Sequence, residues 1–74
     1  MKVRIRVISE LGEFIGDVVE MTLPEYNGLC ELSKDYYSRS GFEMITEDGG
    51  YVIIPPNIIV NSILKIDVIK DEQV

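Results

Sequence analysis

Residues 2–7 read Lys-Val-Arg-Ile-Arg-Val, with an apolar side chain at every second position. Successive side chains of a β-strand point to opposite faces, so this alternation predicts a strand with one buried face and one basic, solvent-facing face. Ser9–Gly12 predicts a turn, since glycine accepts the positive φ that tight turns often require. The next segment, residues 13–21, is spaced to return as an antiparallel second strand. The chain therefore begins with a β-hairpin.

A helix is predicted to follow this hairpin. Thr22 and Glu25 have the spacing of a capping box, in which the hydroxyl and the carboxylate each bind a backbone amide at the helix start. Apolar side chains then recur at steps of three and four residues from Tyr26 to Tyr37, which is typical of an amphipathic helix. The pattern predicts that this helix ends near Arg39.

The C-terminal part of the chain predicts three more strands and one short helical turn. Asp48-Gly49 is a strong signal for the turn of a β-hairpin. The returning strand is apolar at every position, which predicts either a central strand or one that is covered on both faces. Pro55-Pro56 ends this strand, since proline cannot donate to a sheet. The predicted strands cover residues 42–46, 51–54 and 62–69, and the helical turn covers residues 56–61.

The predicted order is β-β-α-β-β-β in a single α+β domain over residues 1–70, followed by a frayed tail at residues 71–74. Two arrangements fit this order. One is a small antiparallel sheet with the helix packed on it. The other is a partly open barrel that resembles SH3-like and Sm-like folds, in which a proline-led turn precedes the closing strand. Residues 54–59, Ile-Pro-Pro-Asn-Ile-Ile, occupy that place here.

Charge and composition narrow the class of protein. The 13 acidic and 7 basic residues give a net charge of −6, which argues against general affinity for duplex DNA because such affinity depends on many Lys/Arg contacts with phosphates. Cys30 is the single cysteine, so no internal disulfide is expected, as in a reducing cytosol. The longest apolar run, residues 51–60, is interrupted by prolines and too short to span a membrane. We expect a cytoplasmic protein with no signal peptide and no membrane contact.

The residues that usually carry catalysis are missing or poorly placed. The chain has no histidine, the usual acid or base near neutral pH, and therefore no Ser-His or Cys-His pair. Cys30 lies on the apolar stripe of the predicted helix, where it is expected to be a small buried hydrophobe. There is no phosphate-binding glycine motif and no calcium-loop spacing of acids. The sequence predicts a non-catalytic protein without metal or cofactor.

Two groups of side chains are candidates for binding an anion. The first is the basic face of the first strand, since arginine forks suit phosphate or carboxylate. The second is the end of the predicted helix, where tyrosine and arginine together could stack a base and hold a phosphate. Alternatively, the basic face is paired with Glu20 or Asp17 across the hairpin, and the tyrosines pack the helix on the sheet. The candidate ligand-binding residues are Arg4, Arg6, Tyr36, Tyr37 and Arg39.

A cluster of apolar side chains surrounds the paired prolines. A domain of 74 residues has a thin core, so the sequence predicts that this cluster forms an interface between copies of the chain. An unpaired last strand could also pair edge to edge with a copy. The alternative is a well-filled core. The predicted interface residues are Ile54, Ile58, Ile59, Val60 and Ile63.

Phrases in the C-terminal half resemble small accessory proteins of tailed bacteriophages. The phrases are Gly41-Phe42-Glu43, Thr46-Glu47-Asp48-Gly49-Gly50-Tyr51-Val52, Pro55-Pro56 and Asn61-Ser62-Ile63-Leu64-Lys65-Ile66. This resemblance implies a protein that acts in the cytoplasm of a host cell by binding a host protein or a defence signal.

Three functions are therefore open. The first is a protein that binds and modulates a host protein. The second is a binder or sponge for a small anionic ligand such as a nucleotide signal. The third is an acidic mimic of nucleic acid. The acids that would serve the third function are Glu10, Glu13, Asp17, Glu20, Glu25 and Glu31.

Overall fold

A computed structural model describes residues 1–70 and shows an α+β fold with antiparallel strands, as predicted. The predicted frayed tail, residues 71–74, lies outside the described residues. The elements are β1 (Lys2–Ser9), β2 (Gly12–Ile15), β3 (Val19–Glu20), α1 (Leu23–Ser33), a 3₁₀ turn (Tyr36–Ser38), β4 (Phe42–Ile45), β5 (Tyr51–Ile54), α2 (Pro56–Ile59) and β6 (Ile63–Ile69).

The first strand, β1, is the centre of the larger sheet. It pairs antiparallel with β2 and β3 on one edge and with β6 on the other. Val3 and Val7 point to the inner face and are fully buried. The alternation at the start of the sequence thus correctly predicts a strand with one buried face.

The predicted second strand is interrupted at residues 16–18. Relative to β1, the register of β3 is shifted by one residue from that of β2, which is the signature of a β-bulge. At the bulge, Gly16 donates from its amide to the carbonyl of Ile5 at 2.8 Å. A Cβ atom on Gly16 would lie 2.7 Å from that carbonyl oxygen, so only glycine fits.

The hairpin of β4 and β5 forms a second, two-stranded sheet. Its inner face packs on the core, in which Val7, Tyr36, Ile54 and Ile59 are buried. A single bridge between Gly16 and Thr46 joins the two sheets. Within residues 1–70 no pairing joins β5 to β6, so the sheet is open and does not close into a barrel.

The helix α1 is shorter than predicted. Its start is the predicted capping box: the Thr22 hydroxyl accepts the Glu25 amide, and the Glu25 carboxylate accepts the Thr22 amide. It ends at Ser33 instead of near Arg39, and a separate 3₁₀ turn follows at Tyr36–Ser38. This change of direction is what carries Tyr36 into the core.

The apolar stripe of α1 is half-buried, and no residue of this helix is fully buried. Cys30 is half-buried on this stripe rather than buried as predicted. Neither α1 nor α2 is long and apolar enough to cross a membrane, and the same holds for every helix within residues 1–70.

Candidate functional site

The outer face of β1 carries the predicted basic residues, and Arg6 on it is already paired. Its guanidinium lies 2.7 Å from the Glu13 carboxylate on β2 and 2.8 Å from that of Asp67 on β6. The hydrogen bond that Arg6 donates to Glu13 and then the charge of Asp67 raise the pKa of Arg6. Arg6 is therefore paired with acids inside the sheet, as the alternative prediction expected. Its partners are Glu13 and Asp67, however, and not Glu20 or Asp17.

The second predicted anion ligand on this strand, Arg4, is held by the backbone. Its Nε donates to the carbonyl of Gly16 at 2.9 Å. The bulge thus supplies an acceptor that fixes the Arg4 side chain along the sheet. Arg4 is half-buried with its Nε bonded to the Gly16 carbonyl, and Arg6 is paired with two carboxylates, so both guanidinium groups already have partners inside the chain.

The two tyrosines after α1 have different environments. Tyr36 is 1% exposed, and its hydroxyl lies 2.7 Å from Ser62 Oγ. Tyr37 is exposed over half of its surface, and its hydroxyl donates to the Ser62 carbonyl at 2.8 Å. The rings meet edge to face with centroids 5.1 Å apart. Both residues therefore fix the 3₁₀ turn to the segment before β6, in agreement with the packing alternative.

The structure does not bring the five predicted anion-binding residues together. Tyr36 packs in the core with Val7, and Arg6 lies on the opposite face of β1 because successive side chains alternate. Of the three candidate residues at the helix end, Tyr37 and Arg39 are exposed and Tyr36 is buried. A ligand that contacted Arg4 and Arg6 would be on the other side of the sheet from the Tyr36 ring.

The predicted isoleucine interface divides into core and surface. Ile54 and Ile59 are 2% and 0% exposed and belong to the core of the chain itself. The prediction that these two residues form an interface is therefore wrong. Ile58 is partly buried against the same core. Val60 and Ile63 are exposed. The short helix α2 explains the division, because its turn directs Ile59 inward and Val60 outward.

One exposed surface was not predicted from the sequence, namely the outer face of the β4–β5 hairpin. Ile45, Tyr51 and Ile53 lie on it and are 57%, 60% and 66% exposed. The prediction that the returning strand is central or covered on both faces was wrong, since within residues 1–70 β5 pairs only with β4 and its outer side chains are exposed. The sequence showed that this strand is apolar on both faces, but that pattern alone does not distinguish a covered face from an exposed one.

A groove borders this hairpin face. It lies between β2 and the turn that joins β4 to β5, with a volume of about 520 Å³. Phe14 and Tyr51 supply aromatic surface, and Glu13, Glu47 and Asp48 supply carboxylates. The Thr46 hydroxyl and the Gly50 amide donate to the Asp48 carboxylate and lower its pKa. The groove is thus acidic at its rim and aromatic on its walls.

The hairpin face also carries an acid of its own. Glu43 lies on the same face as Ile45 and Ile53, opposite Ile53 in the β4–β5 register. Its carboxylate, in hydrogen-bonding reach of the Tyr51 hydroxyl, raises the pKa of Tyr51. The face therefore combines three large apolar side chains with an acidic margin. We call this surface, with the groove, the hairpin surface.

The described residues form no evident metal centre. Nowhere in residues 1–70 do three or more His, Cys, Asp or Glu side chains converge in a way that could hold a metal ion. Two of the acids around the groove are bonded to protein donors, Glu13 to Arg6 and Asp48 to Thr46.

Comparisons of the chain with protein-family models, with curated proteins and with solved structures found no match. The hairpin surface combines exposed apolar side chains with a concave groove.

Proposed function

We propose that this protein is a non-catalytic protein-binding module that contacts its partner through the hairpin surface. The observation that carries the proposal is the exposure of Ile45, Tyr51 and Ile53 on one face of a two-stranded sheet. Contiguous apolar surface on a small protein is typical of an interaction site. Tyrosine is also enriched at protein interfaces, because its ring is apolar and its hydroxyl tolerates water.

The hairpin is held firmly enough to present this face. Its inner side chains, Phe42, Met44, Val52 and Ile54, pack against the core. At the turn, Gly49 has a φ of 85° and Asp48 binds the Gly50 amide. Because these residues fix the backbone, the partner would meet a preformed surface, which lowers the entropic cost of association.

The charges around the hairpin surface define the chemistry of the partner. Glu43, Glu47 and Asp48 surround the apolar side chains, and the whole chain carries a net charge of −6. Complementary charge favours encounter with a basic surface and disfavours an acidic one. The partner we propose is a protein segment in which apolar residues lie next to lysine or arginine.

The resemblance to accessory proteins of tailed bacteriophages adds the class of partner. We propose on that basis that the partner is a protein of a bacterial host and that binding modulates its activity. The support is the series of phrases between Gly41 and Ile66 in the sequence.

The proposal is tested by comparing two aspartate substitutions. Ile53→Asp places a charge in the hairpin surface, and Leu32→Asp places the same charge at a similarly exposed site on α1 (66% and 62% exposed). Affinity capture from a bacterial lysate, quantified by mass spectrometry, should retain a protein with the wild type and with Leu32→Asp but not with Ile53→Asp. A photo-crosslinking residue in place of Tyr51 should link to that same protein.

Two results would contradict the proposal. One is a partner that binds wild type and Ile53→Asp equally well. The other is a partner that crosslinks from position 32 but not from position 51. Circular dichroism of both variants guards against loss of binding through unfolding.

The small-ligand function is less well supported by the geometry. Arg6 is paired with two carboxylates and Tyr36 is buried, so neither is free to contact a ligand. We expect nucleotides to leave the melting temperature unchanged. Stabilisation by about 2.7 kcal/mol at a hundredfold excess over the dissociation constant would instead favour a ligand binder.

The acidic-mimic function also loses candidates. Glu13 and Glu31 form ion pairs, Glu25 belongs to the helix cap, and Asp17 accepts the Val18 amide. Four of the six candidate acids are therefore already bonded inside the chain. A partner whose affinity falls steeply with salt and with reversal of Glu10 or Glu20 would favour the mimic.

A further inference from the structure

The outer edge of β6 is an open strand edge. β6 is seven residues long and pairs with β1 along its whole length, from Ile63 opposite Ile8 to Ile69 opposite Lys2. Within residues 1–70, no backbone hydrogen bond joins its other edge to another element. The strand contains no proline and its register has no bulge, so it lacks two devices that usually protect sheet edges.

The hydrogen bonds of β1 show which backbone groups of β6 point outward. The Ile5 carbonyl accepts from Gly16 on the side of β2. Backbone groups of successive strand residues point to opposite edges, so the even-numbered residues of β1 bond to β6. Their partners in β6 are residues 63, 65, 67 and 69. The outward-pointing backbone groups of β6 are therefore those of Leu64, Ile66 and Val68.

The sequence of β6 is symmetric about its central residue: apolar residues occupy matching positions on both sides, and a base on one side matches an acid on the other. It reads Ile-Leu-Lys-Ile-Asp-Val-Ile, with Ile66 at its centre. We propose that β6 pairs antiparallel with β6 of a second copy of this chain, about a twofold axis at Ile66. Leu64 then faces the partner's Val68, and Lys65 faces the partner's Asp67, while Ile63 faces the partner's Ile69. All three outward-pointing residues would gain backbone partners.

The two charges select this register over its neighbours. The outward-pointing backbone groups of one β6 strand can bond only to the outward-pointing groups of the other. The register between the two strands can therefore change only in steps of two residues. One step in either direction places Lys65 opposite the partner's Lys65, or Asp67 opposite the partner's Asp67. Like charges directly opposite each other destabilise an antiparallel pair, and opposite charges stabilise it. The register centred on Ile66 is the one that makes two favourable pairs.

In the single chain, Lys65 already lies close to an aspartate carboxylate. Lys65 Nζ lies 3.3 Å from the Asp67 carboxylate of its own strand. In the pair of strands, Lys65 would turn from its own Asp67 to the partner's Asp67, and Arg6 would remain beside Asp67, 2.8 Å away. Ile63 and Val68, which are exposed in the single chain, would become part of the interface.

This surface is independent of the proposed function. β6 lies on one side of β1, and the hairpin surface adjoins β2 on the other side. A dimer through β6 would therefore carry two hairpin surfaces, both open to partners. Loss of one activity would leave the other intact.

The first test removes one outward donor. Proline at position 68 deletes the outward amide without touching the hydrogen bonds to β1, and Val68→Ala removes most of the same side chain but keeps the amide. Analytical ultracentrifugation over a wide concentration range should show a dimer for wild type and Val68→Ala. Val68→Pro should weaken it by roughly tenfold or more, because an edge pairing depends on its backbone hydrogen bonds.

The second test uses the charges. Lys65→Glu and Asp67→Lys each place like charges across the axis, so each variant alone should dimerise roughly tenfold or more weakly. Mixed in equal amounts, the two variants should form a heterodimer, because each acid then faces a base. This rescue shows that both variants are folded.

Three outcomes would overturn the proposal. The first is a wild-type chain that stays monomeric up to millimolar concentration. The second is a dimer that Val68→Pro and Val68→Ala affect equally. The third is a mixture of the two charge variants that associates no better than either alone.

Discussion

The hydroxyl of Tyr36 lies 2.7 Å from Oγ of Ser62, and both side chains are buried. Ser62 Oγ in turn donates to the carbonyl of Ile59 at 2.8 Å. Since the Ser62 proton is used in that bond, the Tyr36 hydroxyl is the donor to Ser62. This chain of hydrogen bonds ties the 3₁₀ turn to the junction of α2 and β6, across 26 residues of sequence.

The direction of these bonds predicts that Ser62→Ala is more destabilising than Tyr36→Phe. Tyr36→Phe leaves the donor of Ser62 satisfied and should lower the free energy of unfolding by about 1 kcal/mol. Ser62→Ala leaves the Tyr36 hydroxyl buried without an acceptor and should cost about 2 kcal/mol. Urea denaturation measures both. The double variant should cost less than the two single effects together, and the reverse order of the single variants would contradict the assignment of the donor.

The bulge predicts that Gly16 does not accept a side chain. A Cβ atom there would meet the Ile5 carbonyl oxygen at 2.7 Å, and the backbone on both sides is fixed by sheet hydrogen bonds. Gly16→Ala should lower the free energy of unfolding by about 1–3 kcal/mol. Gly28→Ala is the matched control, because nothing lies within 4 Å of a Cβ atom at that site in α1. It should stabilise the protein by about 0.5–1 kcal/mol.

The capping box predicts how the start of α1 responds to acid. The Thr22 amide and then the Thr22 hydroxyl bind the Glu25 carboxylate and lower its pKa. A lowered folded-state pKa stabilises the helix above the unfolded value, about 4.3, and the stabilisation is lost as pH falls through the folded-state pKa. NMR titration should place the Glu25 pKa below about 4.3. Glu25→Gln should abolish this pH dependence, and an unshifted Glu25 would contradict the predicted box.

The ion pairs of Arg6 predict a salt-dependent link between three strands. Arg6 on β1 contacts Glu13 on β2 and Asp67 on β6. Arg6→Met keeps much of the stem but leaves the two carboxylates without their shared cation, so the urea midpoint should fall, and the difference from wild type should shrink in high salt. Arg39→Met is the control, because Arg39 is exposed and makes no ion pair within residues 1–70. An equal effect of the two substitutions would contradict the role of Arg6.

Local sequence patterns predicted most of the strands and the start of the helix, but they did not predict where the helix ends. The capping box of Thr22 and Glu25 and the turn at Asp48-Gly49 were predicted because their chemistry lies within a few residues. The end of α1 was not, since residues 34–38 continue an apolar helical spacing. What ends the helix is the position of Tyr36, which reaches Ser62 and Phe42 only after a turn.

The candidate site was predicted less well, for a related reason. The alternation of β1 placed Arg4 and Arg6 correctly on one face, but their partners come from β2 and β6. Whether an arginine is free depends on which carboxylates the sheet brings beside it. The same dependence on neighbours decides why Ile54 is core and Ile53 is surface, although they are adjacent in an apolar strand.

The sequence by itself determined the elements whose causes are local: strand alternation, the helix cap, the hairpin turn and the acidic charge. Only the tertiary structure decided which apolar residues are exposed, which arginines are neutralised and which strand edge is left open. The physical reason is that burial and pairing are properties of contacts between distant segments. Residues 63–69 show both levels, because their symmetric order is written in the sequence, whereas their open edge exists only once β1 has paired with the other side.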